Sequence, residues 1–380
     1  MSPTKKSNKV LHIMSGYGGG ISSFIRNKAE ILKERSIPFD VATFDEVSDS
    51  FNSLIEQTGG KVLKISNPKE KGFKLFYKQV NQIMKRQPKN VLIHSHVSGV
   101  KALPFYLIAR KNGLKRFVIH AHTAAPPEGH TKIQRELTKN INRMLSKEKL
   151  SCGQEASKNI FGRKLTGQKK IVHIPNSINE KNFIIEKNSS QLKKEILGIS
   201  DDRLVVGSIG RFRKVKNHYF MIKVIEELKK DNIPFLWFFA GDGLMKEEVE
   251  SLVKEKKLEQ YVKFLGRRED IPNLFKIMDV FVLPSFYEGL PTVVIEAQAS
   301  STYSIVSDTV TMECDIGLDL VRFLSISNER IWAEELRKIH PIKKEQEDII
   351  QQLIKKKFTN ETSAQLYEKF LDGELSYYNI

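Results

Sequence analysis

Short apolar runs alternate with amphipathic stretches through the first half of the chain. Val10–Met14, Phe39–Phe44, Lys61–Ile65, Val91–His94 and Phe117–His120 have the length and composition of strands. Between them Ile21–Arg35, Asp49–Gln57, Phe73–Lys85 and Lys101–Lys111 read as helices, with Phe24, Ala29, Ile31 and Leu32 forming an apolar stripe on the first. Such alternation predicts a parallel sheet covered by helices on both faces. Runs as apolar as Val91–His94 fit strands buried on both sides. The pattern then restarts. Leu204–Ile209, Phe235–Ala240, Val262–Leu265, Val280–Leu283 and Ser304–Val306 are strands by the same reading. Tyr219–Lys230, Leu244–Lys257, Ile271–Met278 and Thr292–Ala299 are the helices between them, and Glu329–Tyr378 reads as helical throughout. The polar stretch from Asn176 to Ser200 separates the halves, and a boundary is expected at 185/186. The fold class predicted is α/β, with two doubly wound, Rossmann-like domains of residues 1–185 and 186–380.

Composition changes this picture little. A length of 380 residues calls for two cores. No segment approaches the roughly 20 apolar residues that span a bilayer. Val10–Met14 is too short for a signal-peptide core, so the chain is expected to stay in the cytoplasm. Cys152 and Cys314 are far apart and lack metal-site spacing, so both are expected as reduced thiols. Charge adds more. The formal net charge is +17, and between Lys101 and Lys149 a run of cations meets only Glu128, Glu136 and Glu148. Such a surface attracts anions. Peripheral contact with an anionic membrane, at its inner face, is expected of the first half.

In open parallel sheets, ligands bind beyond the carboxyl ends of the strands, and the unusual residues fall there. Gly16-Tyr17-Gly18-Gly19-Gly20 follows the first strand and precedes a helix. It is either an anion-binding loop or a tight turn, and the dinucleotide spacing GxGxxG is not met. His94-Ser95-His96 and His120-Ala121-His122 end two further strands and suggest a polar pocket. In the second half Gly210-Arg211-Phe212, followed by Lys214 and Lys216, could neutralise a leaving diphosphate. Pro284-Ser285-Phe286-Tyr287-Glu288-Gly289-Leu290-Pro291-Thr292 follows another strand, with Glu296 on the helix that Pro291 opens. Two carboxylates can form a glycosidase pair, but the glycine, Arg/Lys and helix-start features point to a bound phosphate.

These residues resemble the retaining, GT-B-fold glycosyltransferases of bacterial family 4, and most closely those that build capsular or extracellular polysaccharide. The resemblance rests on Gly210-Arg211-Phe212, Lys216-Asn217-His218, Ala240-Gly241-Asp242-Gly243, Val262–Gly266, Pro284-Ser285 and the Glu288/Glu296 pair. Val10-Leu11-His12, His94-Ser95-His96, His120-Ala121-His122 and Ile174-Pro175-Asn176 match more loosely. It implies two domains facing a central cleft, an N-terminal acceptor domain and a C-terminal donor domain, with the last helices crossing back to the first. Arg211 and Lys216 would bind the donor diphosphate, Glu288 the sugar and Glu296 the ribose. Gly241, Gly289, Leu290, Pro291 and Thr292 would line the donor site, and Gly18, Gly19 and Gly20 would close over the diphosphate. His122 would be the acceptor-side histidine at the reacting carbon, with His120 as the alternative and His96 beside them. Catalysis would fall to His122, Arg211, Lys216 and Glu288.

The cosubstrate implied is a nucleotide sugar, with a UDP-sugar the commonest expectation. The acceptor would be a glycan or a lipid-linked sugar, and no metal would be required. One stretch departs from the family: Ala297–Tyr303 has neither the usual Gly nor the usual Pro. The rival readings are a sugar-nucleotide epimerase of the same fold, an inactive partner subunit, and a non-catalytic binder of nucleic acid or another anion. The chain lacks a recognisable nucleic-acid reader motif, and no nucleic-acid partner is expected.

Overall fold

A computed structural model describes residues 7–124, 129–168, 170–183, 190–231, 233–339, 344–375 and 377. The chain forms two compact units. The first comprises residues up to Ile178 together with those from Lys357 onward, and the second is Asn179–Lys356. The expected boundary at 185/186 lies outside the described residues.

The first unit holds seven parallel strands: β1 (Val10–Met14), β2 (Phe39–Thr43), β3 (Val62–Lys64), β4 (Leu92–Ser95), β5 (Arg116–Ala121), β6 (Lys149–Ser151) and β7 (Val172–His173). Their order is β3-β2-β1-β4-β5-β6-β7. The direction of winding reverses between β1 and β4, and this is where such sheets open a crevice at their carboxyl ends. The helix Gly20–Leu32 carries Phe24, Ile25, Ala29 and Leu32 into the core. The helix Asn360–Leu371 joins that core through Ala364, Tyr367, Phe370 and Leu371. Thr359 caps it by accepting from Thr362 N, and Ser363 Oγ donates to Pro175 O at 2.8 Å. Arg116 donates to the carbonyls of Phe370 and Leu371 and pairs with Glu148.

The second unit holds β8 (Leu204–Ile209), β9 (Phe235–Ala240), β10 (Val262–Gly266), β11 (Val280–Leu283), β12 (Tyr303–Ser307) and β13 (Val321–Leu324). The order is β10-β9-β8-β11-β12-β13, again parallel, with its reversal between β8 and β11. Trp237 and Trp332 are buried at its centre. Their indole N–H groups donate to Ser208 Oγ and Ser325 O, so neither leaves a buried donor unpaired. Both units are Rossmann-like.

Three details differ from the sequence reading. β6, β7 and β13 were not predicted, being only three, two and four residues long. The cationic stretch Lys132–Leu145 is a helix, capped by a Thr131/Gln134 box. The tail is not one helical run: Glu329–Arg337, Gln346–Lys355 and Asn360–Leu371 are separate helices, the last two divided by Lys357 at φ 61°.

Candidate active site

The expected donor residues of the second unit gather at the carboxyl ends of β8, β9 and β11. Two glycines interlock the first two loops. A Cβ on Gly241, at φ 146°, would lie 1.9 Å from Gly210 O, and one on Gly243 would lie 2.6 Å from Phe212 O. The loops bond directly, Phe212 N donating to Asp242 O and Met245 N to Phe212 O. The loop after β11 ties on through Phe286 N, which donates to Val215 O at 2.9 Å. Here Lys216 Nζ meets Glu288 Oε1 at 2.7 Å, and Ser285 Oγ donates to the same oxygen at 2.8 Å. The two residues expected to hold diphosphate and sugar are thus neighbours, and both side chains are mostly shielded from solvent.

Arg211 is exposed, and its guanidinium lies near Arg213 and Arg267. Partial burial and these two like charges hold its pKa below the ordinary value. Such cations stabilise a bound anion. Pro291 is the N-cap of Thr292–Ala299 and so precedes the first helical position that the sequence suggested for it. Gly289, Leu290 and Pro291 are buried, while Thr292 is partly exposed. Glu296 projects from the second turn with no side-chain hydrogen bond or ion pair among the described residues. Burial pushes its pKa up to about 7. A carboxyl so placed can accept from paired ligand hydroxyls.

The turn that departs from the family is built without glycine. Ser301 takes φ 51°, its N–H donates to Gln298 O, and Thr302 N donates to Ala297 O. Ser301 Oγ accepts from Lys344 N at 2.9 Å. A serine therefore occupies the left-handed position that glycine usually fills after a helix.

In the first unit, the amides of Gly18 and Gly19 are not free. Both donate to Ser22 Oγ, at 3.2 and 3.0 Å, while that hydroxyl donates back to Gly19 O. Gly20 starts the helix, and a Cβ there would lie 4.0 Å from Asn176 Nδ2. An anion at this loop would compete with Ser22 for the first two amides.

His96, His120 and His122 do come together, and His12 and His94 join them. His12 Nδ1 lies 3.0 Å from His96 Nε2, and His96 Nδ1 lies 2.8 Å from His122 Nε2. His94 Nε2 lies 3.0 Å from His120 Nδ1, and His94 Nδ1 is 2.6 Å from the Tyr367 hydroxyl. Strand register explains the assembly: His12 is paired with His94 across β1 and β4, and His94 with Val118 across β4 and β5. Phe24 sets its edge against the group, 4.8 Å from the His120 ring centre at 90°. Behind Phe24 lies buried Lys28, bonded to Ser177 Oγ, its pKa lowered to about 7 by burial. Burial also lowers all five imidazoles, His12 and His122 to about 3, and the neighbouring rings push in the same direction for every one but His122. The rings are therefore neutral at pH 7.

The sequence showed no ligand cluster, but the fold makes two histidine groups with nitrogens within 4.8 Å of one another: His12/His94/His96 and His96/His120/His122. His96 belongs to both and spends both nitrogens on neighbouring rings. A metal ion there would have to replace those bonds. Of the array, the sequence reading missed the parts of His12, His94 and Tyr367. Their signal is same-phase strand histidines, which needs the strand register to be read.

A parallel sheet wound about a switch point, with cations and carboxylates at its strand ends, is the kind of place where such folds bind ligands. Residues 189–356 match the family model described as glycosyl transferases group 1. The putative glycosyltransferase EpsF of Bacillus subtilis (strain 168) is 30% identical over 98% of this chain and 96% of its own length. The chain therefore belongs to the group 1 glycosyltransferases. The UDP-Gal:alpha-D-GlcNAc-diphosphoundecaprenol alpha-1,3-galactosyltransferase of Escherichia coli is 28% identical over 64% of each chain. The crystal structure of Anabaena HepE with UDP and glucose superposes with a TM-score of 0.76, covering 96% of this chain and 99% of that one at 19% identity. The fold is thus GT-B. Among the described residues, no helix is long and apolar enough to cross a membrane.

Proposed function

We propose that the protein transfers a sugar from a nucleotide diphosphate sugar, with UDP the expected nucleotide, to a glycan or lipid-linked acceptor in cell-surface polysaccharide synthesis. The observation that carries this reading is the Lys216–Glu288–Ser285 junction at the carboxyl ends of β8 and β11. Arg211 and Lys216 neutralise the diphosphate as it leaves. Glu288 holds sugar hydroxyls, and Glu296 accepts from the ribose. His122 faces the acceptor. The reaction retains the anomeric configuration and needs no metal. The E. coli relative, named for a UDP-Gal donor and a diphosphoundecaprenol-linked acceptor, supports the substrate classes.

The test is binding of nucleotide diphosphates and their sugars, by calorimetry and thermal shift, without metal, to the wild type and Glu296→Ala. One UDP-sugar bound by the wild type and weakened in the variant is expected. Failure to bind any sugar nucleotide refutes the donor site.

Contact with an anionic membrane is part of the same proposal. Ile133, Leu137 and Met144 are exposed on the helix Lys132–Leu145, among Lys132, Arg135, Lys139 and Arg143. Apolar side chains set among cations suit an anionic lipid interface. Co-sedimentation with vesicles that rises with anionic lipid and falls with salt is expected. Binding indifferent to both refutes it.

A further inference from the structure

At the amino ends of β4, β5 and β6 the first unit holds a cavity of about 680 Å³. That size suits a small ligand. Four cations line it: Lys89 just ahead of β4, Arg110 in the last turn of the helix Leu103–Lys111, Lys115 directly before β5, and Lys147 shortly before β6. All four residues are exposed, and none is in an ion pair among the described residues. Glu148 is the one carboxylate among the described residues of the lining, and it already has a partner. Arg116 donates to both of its oxygens, at 2.9 and 3.1 Å. The other donors of Arg116 go to Ser7 Oγ and to the carbonyls of Leu371 and Phe370. Arg116 and Glu148 therefore cancel, and the four outer cations keep their charge.

Helix ends account for part of that charge. The helices Leu103–Lys111 and Lys132–Leu145 both finish here, and each carboxyl end carries about half a unit of negative charge. Lys89 Nζ accordingly donates to Asn112 O, at the cap of the first helix, at 2.8 Å. Two such ends offset about one of the four charges, so about three remain. Like charges gathered around a concave site raise the local potential for an anion. Phe117 and Leu145 line the same cavity as buried apolar residues, so an occupant meets both exposed cations and apolar side chains. A surplus of this size calls for high charge in a small volume. One phosphate monoester carries about −1.5 to −2 at pH 7, so two phosphates match what would take three carboxylates.

We propose that this cavity is a binding site for a small organic molecule carrying phosphate groups, held by Lys89, Arg110, Lys115 and Lys147. It is separate from the histidine array of the same sheet. Arg116 opens β5, and His120 lies towards the other end of that strand, about 13 Å along it. The site belongs wholly to the first unit and does not depend on the donor loops of the second. The same phosphate chemistry is offered by a soluble phosphate ester and by a phospholipid headgroup, and the experiment separates the two sources.

The test is acetylation of the lysines of the full chain by an N-hydroxysuccinimide ester, read residue by residue by mass spectrometry. It is run against rising inorganic phosphate, fructose 1,6-bisphosphate, and vesicles with or without phosphatidic acid. The bisphosphate should protect Lys89, Lys115 and Lys147 with one shared midpoint, about tenfold lower than that for inorganic phosphate. Lys71 and Lys74, exposed and outside the cavity, should stay reactive. Arg110→Gln leaves all three lysines in place and should raise their midpoint about tenfold. Protection of the three by phosphatidic acid vesicles alone, again weakened by Arg110→Gln, assigns the cavity to a lipid headgroup. Protection by the soluble bisphosphate assigns it to a free phosphate ester. Three unrelated midpoints, protection spread evenly over Lys71 and Lys74, no protection by either source, or a midpoint that Arg110→Gln does not move overturns the proposal. Lys216 reports the donor loops in the same spectra, so a failure there is read separately from a failure here.

Discussion

Lowering the pH from 7 to 5 should destabilise the first unit strongly and leave the second almost unchanged. In the first unit, burial keeps His12, His94, His96, His120 and His122 neutral in the folded state, with His12 and His122 at about 3 and the others well below 6.5. The unfolded chain binds more protons than the folded one below pH 6.5, so stability falls as pH falls through that window. Between pH 7 and 5 His12 and His122, both at about 3, each cost about 2 kcal/mol. That figure barely depends on how far below 5 the folded value lies, because the cost over this interval is set by protonation of the unfolded chain. These two rings together cost about 4 kcal/mol, and His94, His96 and His120 push in the same direction, against a domain stability of about 5–15 kcal/mol.

In the second unit two groups oppose each other. Glu296, raised to about 7, binds its proton more tightly when folded and gains about 2 kcal/mol over the same interval. His218, lowered to about 4 by burial and by Lys216, loses about as much. Hydrogen exchange by mass spectrometry at both pH values, corrected for intrinsic rates, separates the units through peptides from β1, β4 and β5 and from β8, β9 and β11. Tryptophan fluorescence follows the second unit alone, since both tryptophans, Trp237 and Trp332, belong to it. His12→Phe should reduce the first unit's pH dependence by about 2 kcal/mol. Equal acid responses in the two units, or an unchanged pH dependence in His12→Phe, would refute the reasoning.

Nucleotide affinity should rise with pH through about 7, because hydroxyls donating to Glu296 favour its ionised form. Between pH 8 and 6 the Kd for UDP should weaken about tenfold by calorimetry, and Glu296→Gln should lose that dependence. Gly241→Ala should cost about 3 kcal/mol or more in denaturant unfolding of the second unit and abolish UDP binding, because its Cβ would meet Gly210 O at 1.9 Å. A wild-type-like midpoint would contradict the interlocked loops. Ser301→Ala keeps the left-handed strain and loses the bond to Lys344 N, and should cost about 1 kcal/mol in urea unfolding. Ser301→Gly loses the same bond but relieves the strain, and should stay within about 0.5 kcal/mol of wild type.

What was legible in the sequence depended on how local its cause was. Val280–Leu283, Leu204–Ile209 and Phe235–Ala240 are strands with the predicted bounds, because unbroken apolar runs between turn residues leave few alternatives. β6, β7 and β13 are too short to carry any periodicity, and pairing with neighbours already in place makes them strands. The donor loops divide in the same way. Glu288 and Glu296 are spaced by a strand end and a helix start, so their placement follows from local structure. That Lys216 and Ser285 share one oxygen of Glu288 follows from the order β8-β11, which no local pattern encodes. The histidine array is the extreme case. His94-Ser95-His96 and His120-Ala121-His122 could be read as strand-end pairs. Their bonding into strings depends on the register of β1, β4 and β5, and on a tyrosine from the far end of the chain. Parallel register is set by how the crossover helices pack, since no tight turn fixes it. The chemistry most dependent on register was therefore the least visible before the fold.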